Sequence, residues 1–588
     1  MNNFFAELKR RNVYKVAVAY AVVGWLVIQV TATIVPALHL PDGLTTAVVV
    51  LVLVGFPIAL VISWAFEMTP EGMKRTANVT TEKVRSMPYW SKRKFATFVV
   101  GVVVIASSLL AYQVLRSKSP GSPALSTKGV AVLPLVNTSG DPSNEYFSDG
   151  LSEELIAVLA KIPNFKVIGR SSSFLFKGKS GDTKAIGEKL GVANLIEGSV
   201  RKEGERVRIV AELINAIDGR ELWSETYDRD LKDVFAVQSE IAKSVAEQMK
   251  VKLLGETVRP DAAGSSQNPV AHNAVLQSDF YFQQQTAEGV RHAITFLQQA
   301  VQLDPNYALA YAKLAQAWRQ YAASFSTEAA GDTDKAYGEA RRAVDKAVSL
   351  APDLAEVRIA VGSQAMNPDL DFRTAEKEFR RALQSAPSNA AANNGLSLAL
   401  MCQGRLVEAE QSCREAISLD PLQSYSWYNI GRVTVGLGHY KEAEELFRKG
   451  LEIQPQASRF HSYLVILDIL QNRPAHANAQ RESEGFWRDY AVNLAQQAQT
   501  DRSTADAALM EFIGKYSKIG PFQIGVLYAV RNEPDQMFKW LDNAYATHDS
   551  GLSQLAATPF FLPYRDDPRF AALCKKLNVQ LPSTSAKR

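Results

Sequence analysis

Cysteine is scarce in this sequence, and it offers no conspicuous catalytic or metal-binding motif. Only Cys402, Cys413 and Cys574 occur among 588 residues, which is too few for a disulfide framework. The seven histidines show no ligand spacing. A hydrophobic content of 47% and a net charge of +4 exclude a wholly disordered or collagen-like chain. We therefore assign no catalytic, cofactor-binding or metal-binding residue, and the length predicts about three to five domains.

Charge is missing from three long runs near the N-terminus. Residues 16–41, 43–66 and 95–115 contain no Asp, Glu, Lys or Arg. Each run reaches the ~20 residues that a helix needs to cross ~30 Å of hydrocarbon. We therefore expect a membrane region at 1–116, with three transmembrane helices at about 16–38, 44–66 and 95–115.

Basic residues set the expected orientation of these helices. Residues 1–94 carry 11 Lys and Arg against 5 Asp and Glu, and the turn at 39–43 carries no basic residue. Because cytoplasmic loops are rich in Lys and Arg, the N-terminus is expected to be cytoplasmic and the chain beyond a linker at 117–127 to be periplasmic. This pattern predicts a bacterial inner (cytoplasmic) membrane protein that contacts the lipid bilayer and not nucleic acid.

Residues 128–255 alternate between strand and helix patterns. The apolar run 129–136 ends in a turn cluster, and 206–213 alternates apolar with polar residues. Thr183–Leu190 has a helical pattern that ends at Gly191, a favourable C-cap. Asp218-Gly219 is a strong hairpin signal. The order β-α-β-α-β-β-β-α predicts an α+β domain with one sheet covered by helices.

Several segments of this domain match a known bacterial family. They are Val130–Leu135, Asn144–Leu155, Arg170–Phe174, Gly187–Val192, Glu197–Val200, Leu222–Asp228 and Asp233–Gln238. The stretch resembles the amino-terminal domain of TolB, in the TolB-like form of membrane-anchored bacterial signalling proteins. The resemblance implies helical repeats behind the domain, and an output module such as a DNA-binding domain or nucleotide cyclase ahead of it. Only about 15 residues precede the first uncharged run, so neither module is expected there.

A repeated pattern follows at 268–456. Alanine, a larger apolar residue, a small residue and proline recur with prolines at 305, 352, 387, 421 and 455. The last three intervals are 35, 34 and 34 residues, a period that resembles the tetratricopeptide repeat. The first interval is longer, with an extra loop expected near Ser326 to Asp334. Residues 457–580 are expected to form degenerate repeats and a helical cap, which completes an all-α solenoid.

Small and large apolar residues at the repeat positions are expected to pack the core between helices. We predict this role for Ala293, Ala340, Ala375, Phe379, Ala409, Ala416, Trp427, Gly431, Tyr440, Ala443 and Phe447.

Other candidate sites are weak. Gly178-Lys179-Ser180 resembles the end of a phosphate-binding loop, but the glycine needed five residues earlier is Ser173. Asp149, Glu153 and Glu154 fit either acid–base groups or the acidic first turn of a helix. Cys402 and Cys413 fit buried free thiols or a disulfide.

The expected function is non-enzymatic. The chain should bind periplasmic protein or peptide partners through the repeat groove and the TolB-like domain, in signalling or envelope assembly, with homo-oligomers possible. One alternative is a regulatory relative of a nucleotide cyclase or transcriptional regulator system that signals through a separate cytoplasmic output protein. A purely structural scaffold is another.

Overall fold

The computed structural model describes most of the chain from residue 125 onward and scattered positions before it. The longer described ranges are 125–179, 182–230, 234–249, 268–284, 286–324, 333–474, 485–499 and 501–579. The chain divides into two compact units, Met1–Pro123 and Ala124–Arg588. In the first unit, β1 (Phe66–Thr69) and β2 (Gly72–Arg75) form an antiparallel pair.

The predicted fold class needs correction in its membrane part. Within the described residues, no helix is both long and apolar enough to cross a bilayer. Most of 16–38 and 44–66 and all of 95–115 lie outside those residues. Phe66, expected at the end of the second helix, lies instead in a strand opposite Arg75. The prediction of three transmembrane helices rests on run length and missing charge alone and is wrong. The predicted inner-membrane location, with its periplasmic domains, depends on those helices and is wrong with them.

A mixed sheet forms the first part of the second unit. Its strands are β3 (Ser126–Val132), β4 (Val136–Asn137), β5 (Lys166–Val167), β6 (Val192–Glu203), β7 (Arg206–Asn215) and β8 (Glu221–Asp230). The order is β5-β3-β6-β7-β8, and β4 also pairs with β6. Strand β3 pairs in parallel with β5 and with β6, and β4 pairs in parallel with β6. Strands β6, β7 and β8 form an antiparallel meander.

Helices cover both faces of this sheet. They are α1 (Glu145–Leu159), the short α2 (Arg170–Ser173), α3 (Thr183–Leu190) and α4 (Val234–Gln248). Alternate strand residues point to opposite faces, so Ile196 packs with α1 and α4 while Leu195 packs with α3. The left-handed Gly191, with a φ of 68°, ends α3 as predicted.

The observed element order differs from the predicted one in two places: the short helix α2 precedes α3, and the first strand is divided. The run 129–136 is split between β3 and β4, and Pro134 lies in the break. Proline has no N–H to donate to a neighbouring strand, which accounts for the interruption.

Antiparallel helix pairs form the rest of the unit. The first five pairs are α5 (Pro269–Phe282) with α6 (Ala287–Leu303), α7 (Ala308–Ser324) with α8 (Thr333–Leu350), α9 (Ala355–Met366) with α10 (Phe372–Ser385), α11 (Ala390–Cys402) with α12 (Leu406–Leu419), and α13 (Ser424–Gly436) with α14 (Tyr440–Ile453). Each second helix ends two residues before one of the five repeat prolines, because proline cannot continue a helix. Most of the expected extra loop near Ser326 to Asp334 lies outside the described residues.

The array continues with less regular helices. These are α15 (Ser458–Leu470), α16 (Phe486–Gln499), α17 (Arg502–Tyr516), α18 (Pro521–Val530), α19 (Pro534–Ala546) and α20 (Pro568–Leu577), with 3₁₀ turns at Ser550–Ala557 and Pro559–Tyr564. From α7 to α15, the first helix of each pair contacts the first helix of the next. We call the surface that these helices and α5 form the first-helix face.

The chain itself covers much of the first-helix face. The mixed-sheet domain packs against α5 through α1, and the 3₁₀ turn Ser550–Ala557 packs against α11 and α13. The sequence predicts an open groove here. The face is instead occupied by segments from both ends of the same unit.

Candidate functional site

The residues predicted to pack the repeat core lie between the helices. Nine of them are buried: Ala293, Ala340, Ala375, Phe379, Ala409, Ala416, Gly431, Ala443 and Phe447. Trp427 and Tyr440 are half-buried at the edge of the same core. Trp427 donates its indole N–H to the carbonyl of Pro421 at 2.7 Å, so its polar edge serves the turn between repeats.

The weak candidate sites from the sequence consist of ion-paired or buried side chains. Lys177, in the loop that resembles a phosphate site, pairs with Asp149 at 2.6 Å and Glu145 at 2.8 Å. This lysine is therefore held by acidic residues of α1. Cys402 and Cys413 are free buried thiols, and burial raises the pKa of Cys402 to about 12. No group of three potential metal ligands occurs among the residues that the structure describes.

One joint between the mixed-sheet domain and the array is a set of hydrogen bonds at α2. Asp420, in the turn after α12, accepts from the backbone N–H of Ser172 at 2.7 Å and also from its hydroxyl. The same hydroxyl accepts from the N–H of Leu422 at 2.8 Å, and the N–H of Gly169 donates to Leu419 at 2.6 Å. The repeat turn thereby holds the start of α2.

A second joint lies between α1 and α5. Tyr146 donates its hydroxyl to Asn273 at 2.6 Å, and Leu276 belongs to the core of the mixed-sheet domain. Gly150 permits this packing, since a Cβ added there would lie 2.5 Å from Leu276. The first helix of the array is thus also part of the domain core.

A cavity of about 460 Å³ lies between these two joints. Its walls come from α1, α2, α5, α7 and α9 and from the turns before α11 and α13. Five acidic and three basic side chains line it: Glu153, Glu154, Asp279, Glu356 and Asp420, with Arg170, Lys313 and Arg319. Its volume is within the few hundred Å³ typical of small-molecule sites.

Most of these charges are paired across the walls. Lys313 lies 2.7 Å from Asp279 and 3.8 Å from Glu153, and Glu153 lies 2.7 Å from Arg170. Burial raises the pKa of Asp279, and the Glu153 carboxylate adds to the increase. Burial alone would lower the pKa of Lys313, but Asp279 and Glu153 outweigh it and raise that pKa. Lys313 is therefore a charged link between α7, α5 and the mixed-sheet domain.

Three other side chains of the cavity carry buried polar atoms that lack a hydrogen-bond partner. The buried Nε of Arg319, one carboxylate oxygen of Glu356 and both polar atoms of the Gln364 amide have no hydrogen-bond partner. Gln364 is only 5% exposed. Burial lowers the pKa of Arg319, which Tyr337 and Tyr425 partly offset. Buried polar groups are normally satisfied, so this cluster is the part of the cavity with unmet hydrogen-bonding capacity.

Sequence reasoning missed this cavity entirely. Its residues come from segments up to 248 positions apart, as Ser172 and Asp420 show, and neither the repeat pattern nor the strand pattern places them together. The available polar signal was Gln364, which follows Ser363 after the apolar run 359–362 of α9.

Family profiles identify part of the array. Residues 370–424 and 424–456 each match a profile described as tetratricopeptide repeat. The prediction of tetratricopeptide repeats toward the C-terminus is therefore confirmed, and these repeats are a protein-interaction fold.

A curated relative matches part of the chain. This protein of Rhizobium meliloti (strain 1021), provisionally named adenylate cyclase 3, is 40% identical over 186 residues. The match covers 32% of this chain and 32% of the relative, so the chain spans about a third of the length of that protein.

Solved structures also match part of the chain. YrrB, described as a repeat protein with an unusual peptide-binding site, is 19% identical with a TM-score of 0.23, and the match covers 32% of this chain and 89% of YrrB. PilW, described as a type IV pilus biogenesis factor, is 19% identical with a TM-score of 0.30, covering 41% of this chain and 99% of PilW.

Proposed function

We propose that this chain is a non-enzymatic protein-interaction module that acts in signalling or assembly. The observation that carries the proposal is the run of tetratricopeptide repeats at 370–456 within a longer array of antiparallel helix pairs. Such arrays expose extended surfaces that hold proteins or peptides.

The mixed-sheet domain is proposed to be TolB-like. The segments that carry the resemblance include Asn144–Leu155 and Arg170–Phe174, and these segments form the α1 and α2 contacts to the array. Because Ser172 and Asp420 fasten the two parts, we propose that they present one combined surface to a partner.

A regulatory role beside a nucleotide cyclase is the second candidate. The 40% identity to a protein provisionally named as an adenylate cyclase supports this candidate. In that case the partner of this chain is itself a cyclase or belongs to a cyclase system, and the chain modulates it without turning over nucleotide.

Site-specific photo-crosslinking of the full chain in cells tests the proposal. A photoreactive residue is placed at exposed apolar positions. Each position should tolerate the substitution because its side chain already faces solvent. The array positions are Val407, Met510, Leu303 and Ile519, and those of the mixed-sheet domain are Val136 and Ile217.

The proposal predicts a discrete crosslinked protein from at least one array position, identified by mass spectrometry. A cyclase in that adduct favours the second candidate. Crosslinks confined to Val136 and Ile217 would contradict binding through the array, and ATP turnover by the purified chain would contradict a non-enzymatic role.

A further inference from the structure

The cavity between the mixed-sheet domain and the array contains several buried polar atoms that have no hydrogen-bond partner. Arg319 and Gln364 lie on neighbouring first helices, eleven and nine residues after the starts of α7 and α9. Both line the cavity, and both carry buried polar atoms without partners. A guanidinium with a buried, unsatisfied Nε beside a buried, unsatisfied amide costs stability unless an anion or water completes the site.

The opposite end of the cavity has the opposite charge. Glu356 lies one residue into α9, and its buried Oε2 has no partner. Gln364 follows it by eight residues, which corresponds to about 12 Å along a helix axis. The cavity therefore has a cationic end at Arg319 and an anionic end at Glu356.

The charge balance restricts what can bind. Two of the three basic lining residues, Arg170 and Lys313, are already paired with Glu153 and Asp279. A nucleotide or other polyphosphate needs several available cations, and the acidic residues here outnumber the basic ones. A neutral sugar would supply no counter-charge to Arg319 or to Glu356.

We propose that this cavity binds a short free peptide of about three residues, with its carboxylate on Arg319 and Gln364 and its ammonium on Glu356. Three extended residues span roughly 10 Å, which matches the separation of the two ends once the side chains reach inward. The volume of about 460 Å³ accommodates a molecule of this size. The site is independent of the partner-binding surface proposed above.

Isothermal titration calorimetry of the full chain with trialanine and its capped forms tests this inference. Trialanine is expected to bind. Its amide, its N-acetyl form and the doubly capped peptide are each expected to bind at least about tenfold more weakly, because each loses a charge-assisted contact. ATP serves as the polyphosphate probe and is expected to show no heat of binding.

Two variants test which residue binds each end of the peptide. Arg319→Gln is expected to abolish the preference for a free carboxylate, so that trialanine and its amide bind equally, and Glu356→Gln is expected to abolish the preference for a free amine. Arg342→Gln, on the exposed side of α8, is the matched control and should retain wild-type affinity.

The wild-type peptide series decides the question even if a variant fails to fold. No binding of trialanine at millimolar concentration, equal binding of all four peptides, or preferential binding of ATP would each overturn the inference. None of these results bears on the crosslinking of a protein partner.

Discussion

The carboxylate of Asp420 accepts hydrogen bonds from both the backbone N–H and the hydroxyl of Ser172, a residue 248 positions earlier in the chain. Both residues are buried. This contact joins a turn of the repeat array to a short helix of the mixed-sheet domain, and it lies beside the candidate peptide cavity. The strongest predictions concern this joint and the packing around it.

Substitution of Asp420 by Ala should loosen the joint. It removes a buried acceptor of two hydrogen bonds, so we expect a loss of about 1.5–3 kcal/mol in the free energy of unfolding. Urea denaturation measures this change. Asp542→Ala removes a 70% exposed carboxylate and is the control, with an expected change below about 0.5 kcal/mol. Equal losses for both variants would show that the joint contributes no special stability.

Substitution of Gly431 by Ala should destabilise the repeat core. A Cβ at this position would lie 2.3 Å from Phe447, so the neighbouring helix must shift, at a cost of about 1–3 kcal/mol. Gly338→Ala is the matched control, since its Cβ would meet nothing within 4 Å in the middle of α8. Its better helix propensity should stabilise the chain by about 0.5–1 kcal/mol. Thermal unfolding of the two variants should therefore shift in opposite directions.

Acidification should destabilise the chain partly through His272. Burial, and then the nearby Lys313 ammonium, lower the pKa of His272 to about 4. Between pH 6.5 and 4, His272 is therefore protonated in the unfolded state and neutral in the folded state. The resulting stability is present above pH 6.5 and is lost as pH falls toward 4, by at most about 3 kcal/mol.

Denaturation of His272→Gln across this pH range measures the contribution. The stability difference between wild type and variant should shrink as pH falls. His292→Gln, at a half-exposed histidine, is the control and should follow the wild-type curve. A difference for His272→Gln that stays constant with pH would contradict a neutral buried imidazole.

The 3₁₀ turn Ser550–Ala557 should protect Cys402 from modification. The Cys402 thiol donates to the carbonyl of Ser553 at 3.3 Å, and Leu555 packs in the same core with 2% exposure. Leu555→Asp should displace the turn and make Cys402 reactive toward a thiol reagent, while Cys413 stays protected. The measurement uses a Cys574→Ser background.

A matched surface variant controls for the added charge. Leu562→Asp changes a residue that is 45% exposed in the following turn and should leave Cys402 unreactive. Labelling of Cys402 that is equally fast in the parent and in Leu555→Asp would mean that the turn does not cover it.

Local patterns were sufficient to predict the longer strands of the mixed-sheet domain and the helix pairs of the regular repeats. The ends of the second helices follow from proline, which cannot continue a helix beyond its first turn, and Gly191 ends α3 because glycine adopts positive φ readily. Strand alternation in β7 follows from its two-sided environment. Each of these signals depends on residues within one or two turns of each other.

Long-range contacts had no comparable signal. Asp420 reads as an ordinary helix-ending residue before Pro421, and nothing near it indicates a partner in α2. The return of the 3₁₀ turn to α11 and α13 depends on shape complementarity between distant segments. The membrane prediction depended on run length and missing charge alone, and no helix within the described residues is both long and apolar enough to cross a bilayer.

The central claim is that the helical array binds a protein partner. The most direct measurement is the dissociation constant of the full chain for the partner identified by crosslinking, compared with a variant carrying Asp at the array position that crosslinks. The account predicts at least about tenfold weaker binding for that variant and unchanged binding for Val136→Asp. Unchanged affinity for the array variant, together with loss of binding in Val136→Asp, would contradict it.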